Sequence, residues 1–199
     1  SWFMDNSNDN YLKKRSLFKS IEKLVIVTPS QWLANHVKDS FLGDFPTNVI
    51  YNGVDLNRFK RGDPSNAKRK FGIERKKNIL GVAGVWSQRK GLADFIKLRS
   101  LIDPEIGIIL LGLTKKQILK LPQGIKGITH TENIEELAEL YSAADILVNP
   151  TYVDNFPTVN IEALACGVPV ITYDTGGSPE ALSEDTGISV EKGNVNGLV

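Results

Sequence analysis

The chain has a single cysteine, Cys166, so it can build neither a disulfide framework nor a cysteine-ligated zinc cluster. No apolar run approaches the roughly 18 to 20 residues that a membrane-spanning helix requires. The opening SWFMDNSNDN is polar and lacks an apolar h-region. A spanning segment and a secretory leader are therefore not expected, and the cytoplasm is the expected compartment. Two nucleotide-binding signatures are missing: neither G-x-x-x-x-G-K-[ST] nor G-x-G-x-x-G occurs. There is no low-complexity tract and no internal repeat. What is there is an ordinary globular composition over 199 residues, 41% hydrophobic and 24% charged. That length accommodates one sizeable domain with a remnant, or two small ones.

The net charge is +1, but its signs are segregated. Residues 1–100 carry 19 of the 24 Lys and Arg, whereas residues 101–199 carry 14 of the 23 Asp and Glu. The densest cationic stretch is KRGDPSNAKRKFGIERKK, residues 60–77. It reads either as solvated helix faces and loops or as a contact with a polyanion or, peripherally, with an anionic membrane at its inner face. Nucleic acid is not expected as a partner, because few aromatic residues interleave with the cations.

From residue 24 onward, short runs rich in Val and Ile alternate with segments of helical period. Strands are expected at 24–28, 48–51, 78–84, 106–112, 124–129, 145–150 and 168–173. The intervening segments place apolar residues near i, i+3 and i+4, with Ser30 as an N-cap, Pro157 as a first helical residue and Gly167 as a terminator. Strands apolar on both faces that alternate with helices imply an α/β fold, a doubly wound parallel sheet with right-handed crossovers. Such sheets bind ligands beyond the carboxyl ends of their strands. The segments to search are therefore GVWSQRKG, THTEN, TYVDNFPT and DTGG.

In DNFPTVNIEALACG two acids, Asp154 and Glu162, flank a turn that opens a helix. The first N–H groups of that helix, at Thr158 and Val159, have no partner within it and carry the positive end of its dipole, a site suited to phosphate. Glu162, five residues after Pro157, lies about 7.5 Å along the axis from it, at ~1.5 Å per residue, and its side chain leans back toward the helix start. A carboxylate there repels phosphate but accepts two hydrogen bonds from a vicinal diol such as ribose. Asp154 would face the opposite end of the ligand, where another polyol could sit. Phosphate flanked by two hydroxyl-rich groups describes a nucleotide sugar. The competing explanation is ordinary: acids near helix starts also serve the dipole. Arg89 and Lys90, just before Gly91, could supply the cations that a diphosphate needs.

Taken together, TPS (28–30), VIYNGVDLNRF (49–59), GVWSQRKG (84–91), the block 139–171 and GGSPE (176–180) resemble the nucleotide-sugar half of the family-4 retaining glycosyltransferases, which have the GT-B fold. The resemblance covers roughly residues 24 to 190. It implies that Glu162 binds the ribose hydroxyls and Asp154 the hydroxyls of the donor sugar. The backbone of Asn155, Phe156, Pro157, Thr158 and Val159 would hold sugar and diphosphate, with Lys90 on the phosphates. The base would lie near His130 and Thr131, and Gly176 and Gly177 would let the backbone approach. Lys90 and Asp154 stand as the catalytic pair. There are two departures from the family pattern. Asp154 stands where the family usually has Glu, and Val85 stands where it has a loop arginine, a role open to Arg89. No D-x-D triplet occurs, the nearest relative being Asp103-Pro-Glu105, which reads as a helix-to-strand turn. The implied reaction is sugar transfer from a nucleoside-diphosphate sugar, with retention, to a glycan or lipid-linked acceptor, with no cofactor and no metal required.

On this reading residues 1–47 are a remnant of an acceptor-side N-terminal domain, and 48–199 a donor-binding domain truncated at its C-terminus. The fragment alone would not transfer sugar. Two other functions stay open: a sugar-nucleotide epimerase of the same architecture, which would need a histidine (His36 or His130) at the cleft, or a non-catalytic interaction domain, in which Lys90, Asp154 and Glu162 would not converge. Cys166, Trp32 and Trp86 read as packing residues, with Trp86 close enough to the phosphate loop to reach a ligand.

Overall fold

The computed structural model describes residues 6–73 and 75–199, so the first five residues of the tail and Glu74 of the cationic stretch lie outside the described residues. The chain divides into two compact units, Ser1–Tyr51 and Asn52–Val199. In the first, helix α1 (Ser7–Lys19) precedes strand β1 (Ile26–Thr28), helix α2 (Gln31–Lys38) and strand β2 (Thr47–Val49). Ser30 caps α2 as expected, its side chain accepting from the N–H of Leu33 at 3.1 Å. β2 pairs in parallel with β1, so the run around residue 48 belongs with the first unit and the division falls after Tyr51.

The second unit continues with α3 (Pro64–Lys70), β3 (Lys77–Val82), α4 (Leu92–Leu101), β4 (Ile106–Leu111), α5 (Lys115–Ile118), β5 (Ile125–Ile128), α6 (Ile134–Ser142), β6 (Ile146–Asn149), α7 (Thr158–Ala165), β7 (Val170–Tyr173) and β8 (Gly187–Val190). All six of its strands are parallel, in the order β5-β4-β3-β6-β7-β8. Successive strand residues point to opposite faces, and the two cores follow that alternation. Leu80, Ile109, Leu111 and Leu147 pack beneath α3, α6 and α7. Ile79, Ile108, Leu110 and Val148 pack against Phe95 and Leu98 of α4. Each fully buried side chain of this size contributes about 1.5–3 kcal/mol relative to exposure.

The cationic stretch 60–77 faces acids from the second half of the chain. Lys70 bridges Glu139 at 2.6 Å and Glu136 at 3.6 Å, Lys68 lies 4.0 Å from Asp145, and Arg75 meets Glu105 at 3.0 Å. Among the described residues, no helix is long and apolar enough to cross a membrane.

One helix start differs from the sequence expectation. Pro157 is the N-cap of α7 rather than its first residue: its ψ of 115° is still extended while its carbonyl already accepts from the N–H of Asn160. Gly167 ends the helix in the left-handed region, at φ 73°.

Candidate functional site

The strand order reverses between β3 and β6, the switch point at which doubly wound sheets leave a crevice for ligands. The segment after β3 enters a short 3-10 turn, Gln88–Lys90, and Gly91 carries it into α4. Gly91 is required twice over. Its φ is 72°, and a Cβ would lie 2.4 Å from the carbonyl oxygen of Pro150. That close approach brings the segment after β6 alongside. The N–H of Tyr152 donates to the carbonyl of Arg89 at 2.8 Å, and the Arg89 guanidinium donates to the carbonyl of Val153 at 3.2 Å. The same two segments are joined by their side chains, since Lys90 Nζ lies 2.6 Å from Asp154 Oδ2 with both groups about four-fifths buried. Lys90 retains two further N–H donors after serving Asp154.

The turn after β7 closes on this pair. The N–H of Gly177 donates to the carbonyl of Asp154 at 3.0 Å, and the Thr175 hydroxyl to that of Thr151 at 2.8 Å. Beneath it, the buried side chain of Asn160 accepts from Asn149 at 2.9 Å and donates to the carbonyl of Ser178 at 3.2 Å. This fixes the first turn of α7 to both β6 and the glycine turn. The N–H groups of Thr158 and Val159, the first two helical residues, have no acceptor within the helix. In the turn itself Phe156 and Pro157 are buried anchors, whereas Asn155 and Thr158 face solvent.

Glu162, in the second turn of α7, is half-buried and accepts the hydroxyl of Tyr141 on Oε2 at 2.8 Å. Burial, followed by the neighbouring Glu162 charge, holds the Tyr141 hydroxyl well above its usual range. The same two causes, in the same order, push the Cys166 thiol up to about 11. A second carboxylate is handled likewise: buried Asp94 accepts from Tyr173 at 3.0 Å and Tyr152 at 3.3 Å, tying α4 to the ends of β6 and β7. Tyr141, Asp94 and Asn160 escape a reading of the sequence, because nothing local marks which tyrosine or asparagine meets which distant partner.

His130 and Thr131 follow β5, two strands from β3, or about 10 Å at the spacing of neighbouring strands. His130 is exposed and shares a hydrogen bond with Thr129. His36 stacks edge-on against Trp32 in the first unit. Trp86 is a packing residue, its indole donating to the carbonyl of Leu111 at 2.8 Å and meeting Phe95 edge-on. Val85 is 77% exposed. Two depressions at the opposite ends of the strands, beside Arg75 and Gly107 and beside Ile102 and Leu198, gather no comparable set of converging polar groups.

Residues 63–199 match the family model "Glycosyl transferases group 1". A D-inositol 3-phosphate glycosyltransferase of Mycobacteroides abscessus is 28% identical over 155 residues, which is 71% of this chain and 35% of that protein. Among solved structures, sucrose-phosphate synthase of Thermosynechococcus elongatus superposes with a TM-score of 0.79 at 22% identity, over 98% of this chain and 52% of its own. Anabaena HepE, solved in complex with UDP-glucose, superposes with a TM-score of 0.72 at 22% identity, over 87% and 51%. The chain thus spans about a third of the length of the curated relative it matches.

Proposed function

This chain belongs to the group 1 glycosyl transferases, and from that premise we propose that Asn52–Val199 is the donor-binding part of a retaining, family-4 type enzyme that takes a sugar from a nucleoside diphosphate. The observation that carries the proposal is the Lys90–Asp154 contact at the reversal of strand order, four residues before α7 begins. The diphosphate lies between the free donors of Lys90 and the N–H groups of Thr158 and Val159. Glu162 receives the ribose hydroxyls, and Asp154 the hydroxyls of the sugar. Asn155 and the glycines 176 and 177 line the sugar end, and Arg89 takes the place of the arginine that Val85 displaces. The base lies toward His130 and Thr131.

When the bond from the anomeric carbon to the diphosphate oxygen breaks, negative charge grows on the diphosphate. Lys90 and the α7 amides are fixed donors for that charge, worth more in a partly buried site than in water. No metal is needed for this step in the proposed mechanism. The sugar passes to a glycan or lipid-linked acceptor bound by a separate domain, and the 199-residue chain alone binds donor without transferring sugar. His130 is exposed on the loop after β5 and bonded to its neighbour Thr129 rather than to a carboxylate of the site, which favours transfer over epimerisation.

The test is calorimetric titration of UDP, GDP and ADP into the chain, with and without EDTA. UDP comes first because HepE was solved with UDP-glucose. Saturable binding that survives EDTA and weakens by about 1–3 kcal/mol in Glu162→Ala is expected. Binding unchanged by that substitution would overturn the assignment of Glu162.

A further inference from the structure

Tyr141 lies at the end of α6 and is fully buried, its ring edge-on to Phe59 with centroids 6.2 Å apart. A phenol hydroxyl in such a place needs a partner, because an unpaired buried donor forfeits its hydration for nothing. Its partner is Oε2 of Glu162, on a different helix, at 2.8 Å. Glu162 otherwise stands on a helix whose neighbouring side chains, Val159, Ile161, Ala163, Leu164 and Ala165, are apolar. Without Tyr141 its carboxylate would be free to turn about a long and flexible side chain.

We propose that Tyr141 is a positioning residue: by holding Oε2 of Glu162 from beneath, it aims the rest of that carboxylate at two adjacent hydroxyls, and so makes the site selective for a ribonucleotide over its deoxy form. The inference rests on the donor-site reading of Glu162 given above. The stoichiometry of donors and acceptors supports it. Each carboxylate oxygen accepts about two hydrogen bonds. With one place on Oε2 taken by Tyr141, both oxygens still have a place open, and a vicinal diol supplies one donor to each. A nucleotide lacking the 2′-hydroxyl would leave one of them unfilled. Burial and the Glu162 charge keep the proton on the Tyr141 oxygen throughout the neutral range, so it remains a donor in any ordinary buffer.

The experiment titrates UDP, GDP and ADP into the 199-residue chain, then the 2′-deoxy form of the tightest binder, for the wild type, Tyr141→Phe, Glu162→Ala and the double variant. Tyr141→Phe keeps the ring against Phe59 and removes only the hydroxyl. We expect it to lower the preference for the ribonucleotide about three- to tenfold, through weaker binding of the ribo form and little change for the deoxy form. Glu162→Ala should remove the preference, and the double variant should show no further loss. Should Tyr141→Phe fold poorly in a thermal melt, Glu162→Asp carries the test. It draws the carboxylate back so that Tyr141 and a diol cannot both be served, and the same loss of preference is expected. A wild-type preference that survives in Tyr141→Phe, or in Glu162→Asp if that is the variant used, while Glu162→Ala abolishes it, overturns the positioning role and leaves the donor site standing. Wild-type protein that binds none of the three nucleotides, or binds without distinguishing ribo from deoxy, overturns the reading of Glu162 and this inference with it.

Discussion

Gly176 touches the backbone of Asp154 so closely that a Cβ there would lie 2.0 Å from the Asp154 carbonyl oxygen, and its φ of 58° is in the left-handed region. Gly176→Ala therefore carries both a conformational penalty of about 1–2 kcal/mol and a clash that only a shift of the 154 loop relieves. It should lower the urea midpoint and weaken nucleotide binding together; an unchanged midpoint would mean that the turn yields freely. Cys166 makes a second residue-scale case. Its thiol is 1% exposed and raised to about 11, so the reactive thiolate is scarce and shielded. At pH 8 a chromogenic disulfide reagent should react only as fast as the protein unfolds. Because the folded pKa is raised, the stability this burial contributes is complete below about pH 9 and fades as pH climbs toward 11. The fall in melting temperature between about pH 9 and 10 should be shallower in Cys166→Ala, while the buried Tyr141 and Tyr173 hydroxyls, also raised, sustain the decline at higher pH. At this scale the sequence is legible where chemistry and spacing coincide. Lys90 before a glycine and Asp154 before a proline turn stand out on their own, and the structure brings the two into contact. Tyr141 and Asp94 are opaque, because their partners lie 21 and as many as 79 positions away.

Among the elements, α7 depends most on one side chain. Asn160 is fully buried and bridges Asn149 on β6 to Ser178 in the glycine turn. Asn160→Ala would leave the Asn149 amide and the Ser178 carbonyl unpaired in the interior, at a cost of about 1–3 kcal/mol each before relaxation. The expected outcome is a lower melting temperature and faster amide exchange at residues 158–162, with exchange in β4 little changed. Uniform loss of protection would instead mean that α7 does not move separately from the sheet. The central strands were readable because Ile79, Leu80, Ile108, Ile109 and Leu147 make them apolar on both faces. β8 was not, since GISV lies at the sheet edge with Ile188 and Ser189 exposed and reads like the turn beside it. α3 hid within a cationic run, although Asp63 and Pro64 form its cap, with the Asp63 carboxylate accepting from the N–H of Ser65 at 2.9 Å.

For the whole molecule, the segregation of charge is plain in composition, but its meaning appears only when Lys70, Lys68 and Arg75 are seen facing Glu139, Asp145 and Glu105. The pairs are surface ones, each worth about 0–1 kcal/mol, so the stability of the second unit rests on its two apolar cores. The first unit has nothing equivalent. Among described residues 6–51 only Thr28, Ser30 and Ala34 are buried, while Val25, Val27, Ile50 and Tyr51 are exposed. A segment of that size with so small a core cannot offset its chain entropy. Residues 52–199 produced alone should therefore unfold in one cooperative transition and bind nucleotide as tightly as the full chain, whereas residues 1–51 alone should show no cooperative melt. Calorimetry on the two pieces decides the matter. If residues 52–199 lost either the transition or the affinity, the first unit would have to be counted as part of the donor site's scaffold. If both are kept, the second unit is the complete folding and binding element, and Lys90, Asp154 and Glu162 act within it alone.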